Sequence, residues 1–137
     1  MRALGLMSGT SVDGVDVASI ETDGERVFSF GPTLTVAYAD EVRRTIRAAF
    51  GADAPSAATE IAERAVTEAH AAAVRQWSAA HGVALATIDI VGFHGQTLTH
   101  RPEQHFTWQI GDGAMLARSL GVSAPKAARM VARTSSA

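Results

Sequence analysis

GLMSGTSVDGVD, residues 5–16, is the part of the sequence from which the fold of this chain is predicted. It joins an apolar run at Arg2–Ser8 to an alternating run at Val15–Ile20 through small and turn-forming residues at 9–14. Glycine, serine and aspartate tolerate tight turns, and an apolar run on each side of such residues indicates a β-hairpin. The chain is therefore predicted to begin with two antiparallel strands and a polar loop between them.

After this hairpin, predicted strands and helices follow one another along the chain. A turn at Asp23-Gly24 leads into a third strand that ends at Tyr38, with a bulge or break expected at Gly31-Pro32. Two helices are predicted next: one through Phe50, with Asp40 as its N-cap and Gly51 at its end, and one over Pro55–His81 that ends at Gly82. A strand Ile88–Phe93 follows, with His94–Thr97 as its exit loop, and after an irregular connection comes a strand Phe106–Ile110. The last predicted element is a helix with Asp112 as its N-cap and Gly121 at its end. A three-stranded antiparallel meander followed by such alternation predicts an α/β domain.

The long helix is predicted to pack one row of side chains on the sheet. Ile61, Ala65, Ala69, Ala73 and Trp77 follow one another at intervals of four residues. Side chains with this spacing lie on one side of a helix. We therefore expect this row, with Trp77 at its end, to belong to the core and not to a cofactor site.

The hairpin loop contains the residue types that bind phosphate. Glycine lets backbone N–H groups approach phosphate oxygens, hydroxyls add donors, and the carboxylates of Asp13 and Asp16 can hold Mg²⁺ or its waters. The loop matches neither the Gly-Lys-Ser/Thr ending of a Walker A loop nor the Gly-x-Gly-x-x-Gly dinucleotide fingerprint. The alternative is that Gly9, Asp13 and Gly14 only satisfy turn geometry. Composition alone leaves both interpretations open.

Two blocks of the sequence resemble one known family. The first is residues 5–16, and the second combines His94-Gly95-Gln96-Thr97 with His100, Pro102 and the run TWQIGD at 107–112. In this order the blocks resemble the anhydro-N-acetylmuramic acid kinases, sugar kinases of the actin-like ATPase superfamily. The resemblance covers about Met1–Val122.

The resemblance implies an actin-like, ribonuclease H-like N-terminal domain that works with ATP and Mg²⁺ in the cytoplasm. The family opens the 1,6-anhydro ring of anhydro-N-acetylmuramic acid with water and transfers the γ-phosphoryl group of ATP to O6. The product is N-acetylmuramic acid 6-phosphate, formed in the recycling of peptidoglycan. Full-length relatives also make a homodimer conceivable.

Site residues follow from the two blocks, motif by motif. The resemblance places the ATP phosphates on eight consecutive residues: Gly9, Thr10, Ser11, Val12, Asp13, Gly14, Val15 and Asp16. Mg²⁺ would be organised through water by Asp13 or Asp16, and the sequence does not choose between them. His94, Gln96 and Thr97 would contact sugar or phosphate, and the alternative is a hydrogen-bonded structural loop. Asp112 is expected to cap its helix and not to act in catalysis.

Composition limits the other partners. The chain has 137 residues, of which 47% are hydrophobic and 19% charged, and its formal net charge is -2. Such a balance indicates a soluble globular domain and gives no general attraction to nucleic acid or to a membrane surface. There is no cysteine and no secretory apolar stretch at the start, so a cytoplasmic protein is expected.

The last residues depart from the resemblance. Residues 123–137 contain three basic residues, no acidic residue and scattered apolar ones, so neither a strand nor a helix is predicted there. The family continues with an Asp-Phe-Arg block that holds the general-base aspartate, and that block does not occur in this chain. We therefore expect a kinase domain at 1–122, then a divergent, disordered or frameshifted tail at 123–137, in a truncated chain without the catalytic base.

Two alternatives to an active kinase remain at this stage. The chain could be a non-catalytic binding module that needs a separately encoded second half. A structural or regulatory actin-like domain is the third interpretation. The resemblance of both sequence blocks to sugar kinases argues against it. Loss of a strand after Val122 would leave a sheet edge and one apolar face incompletely covered, which predicts aggregation.

Overall fold

The computed structural model of the chain describes residues 1–122 and the backbone of the strand Ala127–Arg129. The described part contains three α-helices, two short 3₁₀ turns and seven strands. In chain order the elements are β1 (Arg2–Met7), β2 (Gly14–Thr22), β3 (Val27–Ala37), α1 (Asp40–Ala48), α2 (Ala57–His81), a 3₁₀ turn (Leu85–Thr87), β4 (Ile90–Phe93), β5 (Gln96–Arg101), a 3₁₀ turn (Pro102–Gln104), β6 (Phe106–Ile110), α3 (Gly113–Leu120) and β7 (Ala127–Arg129).

Five strands form a mixed sheet in the order β3-β2-β1-β4-β7. β1 pairs with β2 and β2 with β3 in antiparallel fashion, whereas β4 lies parallel to both β1 and β7. β5 and β6 form a separate antiparallel pair. Because strands of both orientations combine with crossover helices, the predicted α/β class is confirmed.

The irregularity predicted at Gly31-Pro32 is present as a bulge in β3. Ala18 of β2 lies opposite Thr33, and Ile20 lies opposite Phe30, so one residue of β2 faces two of β3. The intervening residue, Ser19, donates its hydroxyl hydrogen to the Pro32 carbonyl at 3.1 Å. Proline fits here because it lacks an N–H and β3 lies at the edge of the sheet.

The predicted start of α1 is wrong by one residue. The N-cap is Ala39, whose backbone is still extended (φ -62°, ψ 150°), and no side chain caps the helix. Asp40 is the first helical residue, and its negative carboxylate is stabilised there by the positive end of the helix dipole. The helix ends at Ala48, so Phe50 lies beyond it and is 42% exposed.

The long helix α2 forms where it was predicted, between a capping box made by Ser56 and Thr59 and a left-handed Gly82. The predicted buried row is wrong at its start, because Ile61 is 61% exposed while Trp77 is fully buried. Steps of four residues advance about 40° around a helix beyond a full turn, so over four steps such a row passes from one side to another. The buried face instead follows Ala62, Val66, His70, Ala73, Val74 and Trp77.

The helices cover only one face of the main sheet. In β1 and β2 buried side chains alternate with more exposed ones, and α2 contacts β2 and β3. We call the opposite side the open face, and in the described part of the chain no helix covers it. It includes the exposed residues Gly5, Met7, Asp16, Ala18 and Phe30. One face of the sheet is thus uncovered by helices in the described residues, although the strand whose loss was expected to cause this is present as β7.

The prediction that no strand follows Val122 is wrong. Ala127–Arg129 pairs in parallel with Val91–Phe93 of β4. The remainder of the predicted tail, residues 123–126 and 130–137, lies outside the described residues. In the part of the chain that the structure describes, no helix is long and apolar enough to cross a membrane.

Candidate functional site

Two segments far apart in sequence meet at one end of the main sheet. β1 and β4 are parallel neighbours, with Leu6 opposite Phe93, so their carboxyl ends lie side by side. The hairpin loop, residues 8–13, follows β1, and the connection His94-Gly95 follows β4. We call these two segments together the corner. Ligands of open α/β sheets bind outside the carboxyl ends of such strands.

Two hydrogen bonds fasten the halves of the corner. The buried Ser8 hydroxyl donates to the Gly95 carbonyl at 2.9 Å. The side-chain amide of Gln96, which is fully buried, donates to the Gly9 carbonyl at 3.0 Å. The first bond is buried and the second partly buried, so they hold the hairpin loop against the β4–β5 connection more firmly than exposed bonds would.

The hairpin loop turns at Val12, which has φ 60° and a side chain only 1% exposed. Its N–H donates to the Gly9 carbonyl at 3.2 Å. Thr10, Ser11 and Asp13 are exposed, and within residues 1–122 their side chains make no hydrogen bond. The loop therefore buries its valine and presents two hydroxyls and a carboxylate to solvent.

The glycines of the hairpin differ in what they do for the fold. At Gly14 a Cβ would overlap the Val36 carbonyl oxygen, so close pairing with β3 requires glycine there. At Gly9 a Cβ would meet only the Ser11 hydroxyl oxygen, at 3.7 Å, and the φ of Gly9 is not in the left-handed region. Nothing in the described residues requires glycine at position 9, which leaves the approach of a ligand as a reason for it.

The two carboxylates of the hairpin lie in different settings. Asp13 is at the end of the loop and exposed, with only its backbone carbonyl engaged, by the Tyr38 N–H at 2.9 Å. Asp16 lies on β2 and accepts the Thr35 hydroxyl hydrogen at 2.6 Å. Among the described residues no three acidic or histidine side chains gather into a metal cluster. Mg²⁺ commonly needs only one or two carboxylates when phosphates supply further oxygens.

The predicted exit loop His94–Thr97 is shorter than expected. Only His94 and Gly95 connect the strands, because Gln96 and Thr97 already pair with β6. Gly95 has φ 73°, and a Cβ on it would overlap the Ile110 carbonyl oxygen. Glycine is therefore required where the chain reverses.

The side chains of His94 and Thr97 share a partner on β6. The Gln109 amide donates to the Thr97 hydroxyl at 3.2 Å and lies 3.5 Å from Nδ1 of His94. Both residues are partly exposed, whereas Gln96 between them is fully buried. Of the three residues predicted to contact substrate, two are thus partly exposed and one is buried.

Comparison with known proteins gives the family of this chain. The family model described as anhydro-N-acetylmuramic acid kinase matches residues 1–130. The chain belongs to the anhydro-N-acetylmuramic acid kinase family. The family predicted from the two sequence blocks is confirmed, and the match extends beyond Val122.

Curated relatives carry the same family name. The chain is similar to the anhydro-N-acetylmuramic acid kinase of Paramagnetospirillum magneticum, with 52% identity over 89% of this chain and 34% of the relative. It is also similar to those of Rhodopseudomonas palustris (52% identity, 89% of this chain and 35% of the relative) and Rhodospirillum rubrum (51%, 88% and 32%). The chain thus spans about a third of the length of these relatives.

Two buried polar residues near the corner of this family member were not anticipated from the sequence. Burial raises the pKa of Tyr38. Burial lowers the pKa of His70 to about 4, against the opposing effect of its hydrogen bond to the Val66 carbonyl, and the charge of His94 lowers it further. The Tyr38 hydroxyl and Nε2 of His70 are buried without a hydrogen-bond partner in the described residues.

These two residues gave only weak sequence signals. His70 lies in the alanine-rich stretch of α2, where histidine is the one large polar side chain on the buried face, and Tyr38 follows the last residue of β3. The His70 ring is 5.4 Å from that of Phe93, the last residue of β4. The His70 side chain therefore packs against the last residue of β4, next to the corner.

Asp112 has the structural role that was predicted. Its Oδ1 accepts the N–H of Met115 at 2.9 Å, and it is the N-cap of α3. Its own N–H donates to the Thr67 hydroxyl of α2 at 3.0 Å. Asp112 thus begins α3 and joins it to α2, as expected for a capping residue.

Proposed function

We propose that this chain provides the phosphate-binding hairpin of an ATP-dependent kinase acting on 1,6-anhydro-N-acetylmuramic acid in the cytoplasm. Water adds at the anomeric carbon and breaks its bond to O6, and the γ-phosphoryl group of ATP passes to O6. The products are N-acetylmuramic acid 6-phosphate and ADP. The observation that carries the proposal is the open space at the Cα of Gly9, next to the exposed hydroxyls of Thr10 and Ser11. The partly exposed His94 and Thr97 lie on the segment that packs against this loop.

The hairpin loop would bind the phosphates of ATP. Its backbone from Gly9 to Asp16 can approach phosphate oxygens, because Gly9 has no Cβ, and the hydroxyls of Thr10 and Ser11 add donors. Mg²⁺, when bound with ATP, neutralises the charge that builds up on the transferring phosphoryl group. Asp13 and Asp16 are the residues of the hairpin that could hold it through water, and both are exposed.

The connection after β4 would bind the sugar. His94 and Thr97 are held by one amide, that of Gln109, so their polar atoms keep a fixed separation. A fixed pair of donors and acceptors suits a sugar, whose hydroxyls need hydrogen bonds in defined directions. We assign sugar contact to His94 and Thr97, and an indirect role to the buried Gln96.

The architecture we propose is the actin-like, ribonuclease H-like domain. The sheet order β3-β2-β1-β4-β7, with three antiparallel strands followed by parallel ones, supports it. The adenosine pocket and the carboxylate base that activates water would come from the part of the relatives that this chain does not span. Homodimerisation remains a prediction for full-length members.

The first test is binding of Mg-ATP to the purified chain by isothermal titration calorimetry. Asp13→Asn, Asp16→Asn and Ser11→Ala are compared with Glu25→Gln, an exposed carboxylate in the turn between β2 and β3, at the other end of β2. A phosphate site at the loop predicts that the affinity falls about tenfold in at least one loop variant, as for loss of a charge-assisted hydrogen bond. Equal affinities in all four variants, or no binding to folded wild-type chain, would contradict the proposal.

The second candidate is a non-catalytic binding module that needs a separately encoded second half. Phosphorylation of anhydro-N-acetylmuramic acid is measured with the chain alone and after mixing with residues of a relative that lie beyond the matched part. Turnover by the chain alone would exclude the binding-module interpretation. Turnover only in the mixture, abolished by the loop variant that weakens Mg-ATP binding, would establish that a second half is needed.

A further inference from the structure

The two ends of the Gln96 side chain are in unequal settings. The residue is fully buried, and its Nε2 donates to the Gly9 carbonyl at 3.0 Å and to the Thr97 carbonyl at 3.4 Å. Its Oε1 is buried without a hydrogen-bond partner in the described residues. A buried acceptor left unpaired is unfavourable, so an apolar side chain of the same size would be at least as good for packing. The unpaired Oε1 offsets part of what the bonds of Nε2 contribute, so stability alone does not account for an amide at this position.

The carbonyl that Gln96 holds also receives the turn of the hairpin loop. Gly9 accepts the Val12 N–H at 3.2 Å in addition to the Gln96 amide. Val12 has φ 60°, a conformation that β-branched residues adopt only where the surroundings impose it. Its buried side chain and its bond to Gly9 are what impose it here.

We propose that Gln96 is a positioning residue for the hairpin loop. By fixing the Gly9 carbonyl, it keeps Val12 in its left-handed conformation and holds the backbone N–H groups of the loop in place for phosphate. It also makes the conformation of the loop depend on the β4–β5 connection, so the nucleotide side and the sugar side of the corner are coupled. This inference rests on the proposed function for its ligand, Mg-ATP, and on the geometry alone for its effect on the loop.

The test compares Gln96→Met with Thr99→Val. Methionine keeps the length of the side chain and removes the amide. Thr99 is a matched control, because it lies on the same strand, is 5% exposed and, like Gln96, donates a partly buried bond to a backbone carbonyl, that of Ala52 at 2.6 Å. The partner of that bond, Ala52, lies after α1 and not in the hairpin loop. The readouts are hydrogen exchange of the Val12 amide by NMR and the dissociation constant for Mg-ATP.

We expect Gln96→Met to speed Val12 exchange about threefold to tenfold and to weaken Mg-ATP binding by a similar factor, which corresponds to one lost hydrogen bond. Thr99→Val should change neither by more than about twofold. Faster Val12 exchange in a chain that binds no Mg-ATP would support the positioning role and contradict the proposed function. Unchanged exchange in folded Gln96→Met that still binds Mg-ATP would overturn the positioning role and leave the proposed function intact.

A measurement on the wild-type chain covers the case in which Gln96→Met does not fold. The side-chain NH₂ signals of Gln96 are followed by NMR during titration with Mg-ATP, with those of the exposed Gln104 as the reference. A positioning role predicts that the Gln96 signals move on saturation while those of Gln104 do not. Binding of Mg-ATP without movement of the Gln96 signals would overturn the inference.

Discussion

The hydroxyl of Ser8 donates a hydrogen bond to the carbonyl of Gly95 across 87 positions of sequence, at 2.9 Å and out of contact with solvent. Ser8 is the first residue of the hairpin loop, directly after β1, and Gly95 belongs to the connection after β4. One serine hydroxyl therefore joins the two sequence blocks that identify the family. The bond gives the corner a property that can be measured without any ligand.

Replacing Ser8 by alanine should lower the free energy of unfolding by about 1–3 kcal/mol, because the buried Gly95 carbonyl loses its donor. Urea denaturation followed by circular dichroism measures the change. Ser11→Ala is the control, since that serine is exposed on the same loop and should change stability by less than about 0.5 kcal/mol. Equal losses in the two variants would show that the bond does not stabilise the corner.

Gly95→Ala should destabilise the chain by more than about 3 kcal/mol, because the added Cβ would overlap the Ile110 carbonyl oxygen as well as meet an unfavourable φ of 73°. Gly51→Ala separates the two effects. Gly51 has φ 78° with open space where an added methyl group would lie, so its loss should be about 1–2 kcal/mol. Thermal unfolding of both variants checks the difference, and similar melting temperatures would refute the steric argument.

The neutral, buried His70 predicts that stability falls on acidification. Its pKa in the folded chain is about 4, below the ordinary value of 6.5, so between these values the unfolded chain binds a proton that the folded chain does not. Stability should therefore be unaffected above pH 6.5 and decrease as the pH falls from 6.5 to 4. The expected loss from this group is about 2 kcal/mol by pH 5.

Urea denaturation at pH 7 and pH 5 tests this dependence on His70→Phe, in which nothing titrates at that position. The exposed His100→Gln serves as the control and should keep the pH dependence of the wild-type chain. If His70→Phe and the wild-type chain lose equal stability between the two pH values, His70 does not titrate as its burial requires.

Phe30→Lys should reduce self-association with little effect on stability. Phe30 is 86% exposed on β3, an edge strand without a charged residue from Val27 to Ala37. Charges on edge strands oppose pairing with other chains. Ile61→Lys is the matched control, because it removes an apolar residue that is 61% exposed on α2, away from the sheet edge. Light scattering at increasing concentration should show a larger decrease for Phe30→Lys, and an equal decrease would argue against the edge.

Features that depend on neighbouring residues were predictable from the sequence. The Asp112 cap, the left-handed Gly82 and Gly121 that end α2 and α3, and the bulge at Gly31-Pro32 all formed as expected. Each is decided by contacts within a few positions of the chain. Asp40 failed as a cap because the start of α1 depends on where the extended backbone of β3 ends, and its own side chain does not determine that.

Features that depend on distant partners were not predictable. The sequence placed Gln96 in a loop, and its burial follows from the pairing of β5 with β6 and from the approach of Gly9. His70 is buried because α2 packs over the end of β4, where Phe93 meets its ring. The candidate site residues could be proposed by motif, whereas the buried residues beneath them required the tertiary structure.

The parallel pairing of β1 with β4 has a consequence for the order of folding. The first hairpin closes through a short loop, so its strands can pair within microseconds. The bonds from Ser8 and Gln96 instead require segments 87 positions apart to meet, with the larger loss of chain entropy that long loops bring. The corner is therefore expected to be completed late, after the hairpin and α2 exist. During synthesis, a ribosome-bound chain that ends before β4 would have the hairpin loop without its supports, and the bonds to Ser8 and Gly9 would form only after residue 96 emerges.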